Sequence, residues 1–218
     1  QETWNAGYVP EEYFQRDCLL SVLEQIQNPQ ASIMELGAGW GRVCMSLVGA
    51  ARSGLVDTLV EDFFCLAVEG DQQHAAWISD HFLRNKIKGS VLHGVVKDKN
   101  SLSKFSEGQN PAACYGQSIL DGPFVLTRQS VKGYKIDFLI PDSGLDHIDF
   151  MDMDIQGYEV KALQGTQESL KLGRIDYIMV GTHSKDLHKE CSSILYPYYN
   201  IVIDIEPKSI ARLEGFPP

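Results

Sequence analysis

Basic residues are scarce in this chain: 19 lysines and arginines stand against 29 aspartates and glutamates, a formal net charge of -10. Sequence-independent binding to DNA or RNA depends on basic surface that neutralises phosphates, so this balance argues against a nucleic-acid partner. No apolar run approaches the ~20 residues of a membrane-spanning helix, and no basic segment followed by an apolar one opens the sequence. Neither a membrane partner nor secretion is expected. Cysteine is sparse, and Cys18, Cys44, Cys65, Cys114 and Cys191 form no C-x-x-C pair. That weighs against a disulfide framework or a zinc site and fits reduced thiols in a cytoplasmic protein. The dinucleotide fingerprint G-x-G-x-x-G is missing, as is a Tyr-x-x-x-Lys proton donor near a strand end. A nicotinamide-dependent oxidoreductase would want both, and stands here only as an alternative.

What is present points to one soluble α/β domain. The 218 residues are 44% hydrophobic and 22% charged, which is enough to build a full core. The organising stretch is Ser32 to Arg42, where a short apolar run meets Glu35 and then Gly37-Ala38-Gly39-Trp40-Gly41. Helical spacing follows at once in Val43, Met45, Leu47 and Val48. This is strand, tight turn, helix, with glycines that let a ligand approach the backbone closely. A carboxylate at position 35 would repel a pyrophosphate and attract an ammonium group. The stretch resembles the first motif of S-adenosylmethionine-dependent methyltransferases, whose ligand carries an ammonium and a sulfonium and no phosphate.

Along the chain, strands and helices alternate. Glu11 to Gln27 has the period of an amphipathic helix, and residues 1–30 are expected to form an N-terminal helical segment packing on the sheet. Residues 43–66 predict a helix, a break and a second short helix. Phe63 to Asp71 reads as a buried parallel strand ending in Glu69, placed to accept ribose hydroxyls. Gly70 and Asp71 follow it, a helix over 72–85 comes next, and Val95 lies in a third strand at 91–96. Residues 97–135 lack a sustained period and predict a substrate-facing loop holding a short hairpin, with Val125, Leu126 and Val131 as its strand residues. A short helix over 136–140 precedes a strand over 148–154. Ile175 to Gly181 is a further strand ending at His183, and 201–205 a last one. The expected fold is Rossmann-like: a doubly wound, mostly parallel sheet with an antiparallel C-terminal edge over residues 31–218.

Asp149 to Glu159, followed by Val160 to Gly165, resembles the signature of the FkbM-type methyltransferase family: an apolar strand ending in Asp, then an apolar-Glu-Gly step, a further Glu and a leucine-rich helix. The likeness runs from Glu35 to about Tyr199. Gln156 departs from it, standing where the family usually has Glu. The resemblance implies an S-adenosylmethionine-dependent methyltransferase acting on a hydroxyl of a small molecule, natural product or glycan unit. A protein that binds the cofactor without turnover is the alternative. Expected cofactor contacts are Glu35, Gly37, Ala38, Gly39, Gly41, Glu69, Gly70, Asp71, Val95 and Asp154. Trp40 either packs on the cofactor or supports the loop. Expected catalytic residues are His183, as general base, and Asp154, which would hold the cofactor's amino-acid end, orient the acceptor or bind a cation. No metal is assigned; Asp152, Asp154 and Glu159 offer magnesium hard oxygen ligands as the alternative. One chain does not specify its assembly, and a homodimer stays open.

Overall fold

The computed structural model describes residues 11–106, 119 and 128–207. The order of elements is α1 (Glu11–Gln25), β1 (Gln30–Leu36), α2 (Arg42–Ser53), β2 (Asp62–Glu69), α3 (Gln72–Arg84), β3 (Lys88–Val96), β4 (Ser101–Ser106), β5 (Arg128–Tyr134), α4 (Ile136–Asp142), β6 (Ile148–Met153), α5 (Glu159–Gln164), α6 (Gln167–Lys171), β7 (Ile175–Val180) and α7 (Lys185–Leu195). Among the described residues, seven strands form one sheet in the order β4-β5-β3-β2-β1-β6-β7. All neighbouring pairs are parallel except β4 with β5. The strand order reverses at β1, which has β2 on one side and β6 on the other. In open parallel sheets ligands bind beyond the carboxyl ends of the strands at such a reversal.

The central strands are apolar on both faces because helices cover both. In β1, Ala31 and Ile33 face a core shared with Leu23 of α1, Leu47 of α2 and Ile78 and Phe82 of α3. Met34 and Leu36 face the opposite way, toward Leu139 of α4, Leu163 of α5 and Cys191 of α7. This two-residue alternation fixes the register, since a slip by one would exchange the two faces. A buried carboxylate pins it further: Asp149, at the start of β6, accepts the Ser32 N–H at 2.6 Å.

Three expectations meet a different outcome. The stretch 43–66 holds one helix rather than two: α2 stops at Gly54, whose φ of 64° makes a left-handed cap, and residues 55–61 run without helix into β2. The helix expected over 136–140 runs on to Asp142, with Pro141 inside its last turn. Residues 201–205 form no strand. Val202 is 90% exposed, and a contact from His188 to Asp204 and an ion pair from Lys185 to Glu206 tether the segment to α7. A strand needs a ladder partner, and apolar alternation alone supplies none. The antiparallel edge exists, but β4 provides it at the other end of the sheet. Residues 97–135 contain the β4–β5 pair, with Val131 in β5 as expected; Val125 and Leu126 lie outside the described residues. Among the described residues, no helix is long and apolar enough to cross a membrane.

Candidate active site

At the carboxyl end of the sheet a cavity opens between the β1–α2 turn and the tips of β2, β3 and β6. Gly37, Gly39, Glu69, Gly70, Val95 and Asp154, all expected from the sequence, line it. Its position follows from the turn. Gly37, Gly39 and Gly41 have φ of 74°, 54° and 78°, a region that side chains other than glycine enter at a cost of about 1–2 kcal/mol. The turn is tied down by the N–H groups of Gly37 and Ala38, both donated to the Val68 carbonyl at 2.9 and 3.1 Å.

Glu69 is the best-anchored acid of the site. One oxygen accepts the Gly39 N–H and the other the Asp71 N–H, each at 2.7 Å. A carboxylate has about four acceptor positions, so capacity remains for donors entering the cavity. Burial pushes the Glu69 pKa up, and the two backbone donors oppose that rise.

Four of the expected contacts stand behind the cavity wall and do not line it. Glu35 is buried and accepts the N–H groups of Val43 and Cys44 at 3.0 and 2.9 Å. It therefore caps α2, whose N-cap residue Gly41 has no side chain to do so, and does not face an ammonium group. Burial pushes its pKa up while those donors pull it down. Replacing Glu35 with alanine should cost about 1–2 kcal/mol of stability, the usual price of a lost cap. A thermal melt indistinguishable from wild type would remove that role. Asp71 caps α3 through the N–H groups of Gln73 and His74, Ala38 packs in the core, and Gly41 lies against Ile78.

The pair of acids at the tip of β6 divides its duties. Asp152 is 4% exposed and sits opposite Glu35 in the β1–β6 ladder. Burial, then the charges of Glu35 and Asp154, push its pKa well above the ordinary carboxylate range. A carboxyl raised in the folded state gives its full stabilisation below the unfolded pKa and loses it as pH rises through the folded one. At neutral pH it is a burden, so Asp152→Asn should melt higher than wild type at about pH 8, with the gap narrowing toward about pH 4. A lower melting temperature at pH 8 would contradict this.

Asp154 turns instead toward His183. The neighbouring of β6 and β7 brings the two tips together, with His183 Nε2 at 3.2 Å from Asp154 Oδ1 and Nδ1 at 2.9 Å from Glu159 Oε1. Glu159 is fully buried, its Oε1 also accepts the Gly157 N–H at 3.0 Å, and its Oε2 has no partner. Hydrogen bonds donated by its ring to Asp154 first and to Glu159 second raise the His183 pKa to about 10. Held between two carboxylates, His183 is favoured as the imidazolium, the form that lacks the lone pair a general base uses. Gln156, held at a φ of 55°, lines the cavity and donates to Asp154 Oδ1 at 3.3 Å.

The magnesium alternative finds no assembled ligand set. Among the described residues the one group with ligand atoms in mutual range is His147, Asp149 and Asp176, at the opposite ends of β6 and β7. There His147 pairs with Asp176 at 2.9 Å, and Asp149 serves Ser32.

Sequence reasoning missed the far wall. Phe105 and Ile119 close it, packed with Val95 and Val131. A methyl group at Gly70 would lie 2.5 Å from the Phe105 ring. The enclosed space is about 70 Å³, below the ~300 Å³ at which ligand sites of drug size begin. Both residues fall in the stretch without period, whose Ser, Gly and Asn content signals function but no particular side chain.

A family model described as the methyltransferase FkbM domain matches residues 59–207, which takes in Glu69, Asp154, Glu159 and His183 and leaves the glycine turn outside. No match was found among curated proteins. Among solved structures, a precorrin-6y C5,15-methyltransferase from Geobacter metallireducens is similar, at 12% identity and a TM-score of 0.46, over 84% of this chain and 70% of that one.

Proposed function

This chain belongs to the FkbM methyltransferase domain family, and from that membership we propose that it moves a methyl group from S-adenosylmethionine to a hydroxyl oxygen of a small molecule, natural product or glycan unit. The observation that carries the reading is the convergence of Glu69, the glycine turn and Asp154 on one cavity at the reversal of strand order. The donor set suits the cofactor: acceptor oxygens for ribose hydroxyls and a carboxylate for an ammonium group. When bound, the cofactor supplies an electrophilic methyl on sulfur.

The chain's own residues bind and orient. Glu69 accepts from the ribose hydroxyls, Asp154 holds the ammonium, and Gly37 and Gly39 keep the floor free of side chains. Alignment is most of the work in such a displacement, since holding reactants in place removes several kcal/mol of entropic barrier. The test is calorimetric titration with S-adenosylmethionine, S-adenosylhomocysteine and NADH, followed by assay of S-adenosylhomocysteine release against a panel of hydroxylated acceptors. Micromolar binding of the first two ligands, with turnover on one acceptor class, is the expected result. Preference for NADH would sink the reading.

A further inference from the structure

The reaction proposed above needs a group to take the acceptor's proton, and the residue best placed for it is already protonated. The surroundings of His183 suggest how that is resolved. The charged groups facing its ring are Asp154, beyond the tip of β6, and Glu159, at the start of α5. On α7, the Cys191 thiol lies toward Glu159 and is pushed up to about 12, mainly by burial, while His188 meets Thr182 and Asp204. Of the two carboxylates, Glu159 is sealed in the core and Asp154 is open to the cavity.

Resting on that reading, we infer that Asp154, His183 and Glu159 form a proton switch thrown by cofactor binding: when Asp154 turns its charge to an incoming ammonium, His183 gives up its Nε2 proton and becomes the base of the reaction. Glu159 makes the release selective. Its Oε1 stays bonded to Nδ1 and so retains the proton there, which leaves the lone pair on Nε2, the ring nitrogen that faces Asp154 behind the cavity lining. A charge at 4–6 Å moves a pKa by about 1–3, enough to bring His183 from about 10 toward neutrality. The acceptor's O–H proton then passes to Nε2 while an oxygen electron pair forms the bond to the methyl carbon and the carbon–sulfur bonding pair leaves with sulfur. His183 returns to its charged resting state as the product departs. Two acids and a histidine, each present before binding, would thus supply both the ammonium site and the base.

The test counts protons and needs no turnover. S-adenosylhomocysteine, which carries the ammonium and no transferable methyl, is titrated calorimetrically into the whole protein at about pH 8 in two buffers of different ionisation enthalpy. Release on the order of one proton per ligand bound is expected in the wild type, and its loss in His183→Gln with binding retained. Should that variant fail to fold, the wild-type affinity measured between about pH 7 and pH 8.5 gives the answer: it should rise by roughly threefold to sixfold per pH unit, and an affinity independent of pH overturns the switch. Binding with no release, or with release unaltered in His183→Gln, overturns the switch and leaves the methyltransferase reading standing. Absence of binding overturns both.

Discussion

Replacing Gly37 with alanine should cost on the order of 3–5 kcal/mol, combining a left-handed backbone with overpacking against a rigid neighbour. The position has φ of +74°, and an added Cβ would collide with the Asp154 carbonyl oxygen. That oxygen belongs to backbone whose N–H is bonded to the Leu36 carbonyl at 3.0 Å, so it cannot simply swing aside. For a chain of this size the loss corresponds to a fall of about 10 °C in melting temperature. Cofactor binding should vanish with it, since the turn and the Asp154 tip would have to part. A variant that melts within a degree or two of wild type and binds S-adenosylhomocysteine normally would show that the β1 and β6 tips are not locked as described.

Glu69→Ala is the second large effect, and it acts on affinity more than on folding. Hydrogen bonds to a charged group contribute about 1.5–3 kcal/mol, so loss of the ribose contacts should weaken S-adenosylhomocysteine binding by about 10- to 100-fold. Alanine also strands the N–H groups of Gly39 and Asp71, which now end on the two carboxylate oxygens. Glu69→Gln separates the contributions, because its amide oxygen can keep one of those donors. It should therefore bind between wild type and alanine. Equal affinities for all three proteins would place the ribose elsewhere.

The sequence revealed most where chemistry and periodicity agree. The Ser32 to Arg42 stretch could be little else than strand, turn and helix, and an apolar run ending in Glu69 marked both a buried strand and the tip that lines the cavity. The meeting of His183 with Asp154 was legible because each ends a strand, needing only that the two strands be neighbours. Glu35 shows where the argument runs out. An acid two residues before a glycine turn reads the same whether it points at a ligand or back at the next helix's amides, and only the path of α2 decides. Glu159 was visible as part of a motif, yet its sealed bond to His183 depends on how α5 packs against the β7 tip. Phe105 left no trace, because one aromatic in an aperiodic segment says nothing about which wall it will close. The segment 201–205 misled in the opposite way, having the composition of a strand without a neighbour to pair with.

The central pairing of the sheet has a consequence for synthesis. Ser32 and Asp149 are 117 positions apart, and β1 joins β6 only after that length of chain exists. Contacts so distant slow folding, because a long loop must close before they repay its entropy. As the polypeptide leaves the ribosome, β1, β2 and β3 can assemble with α2 and α3 while one edge of β1 waits bare. That edge is apolar on both faces and offers unpaired backbone groups, the kind of surface that sticks to other nascent chains. Proteins stalled or truncated ahead of residue 148 should therefore aggregate or be held by chaperones, and the cavity, whose Asp154 wall arrives last, should be among the final features to form.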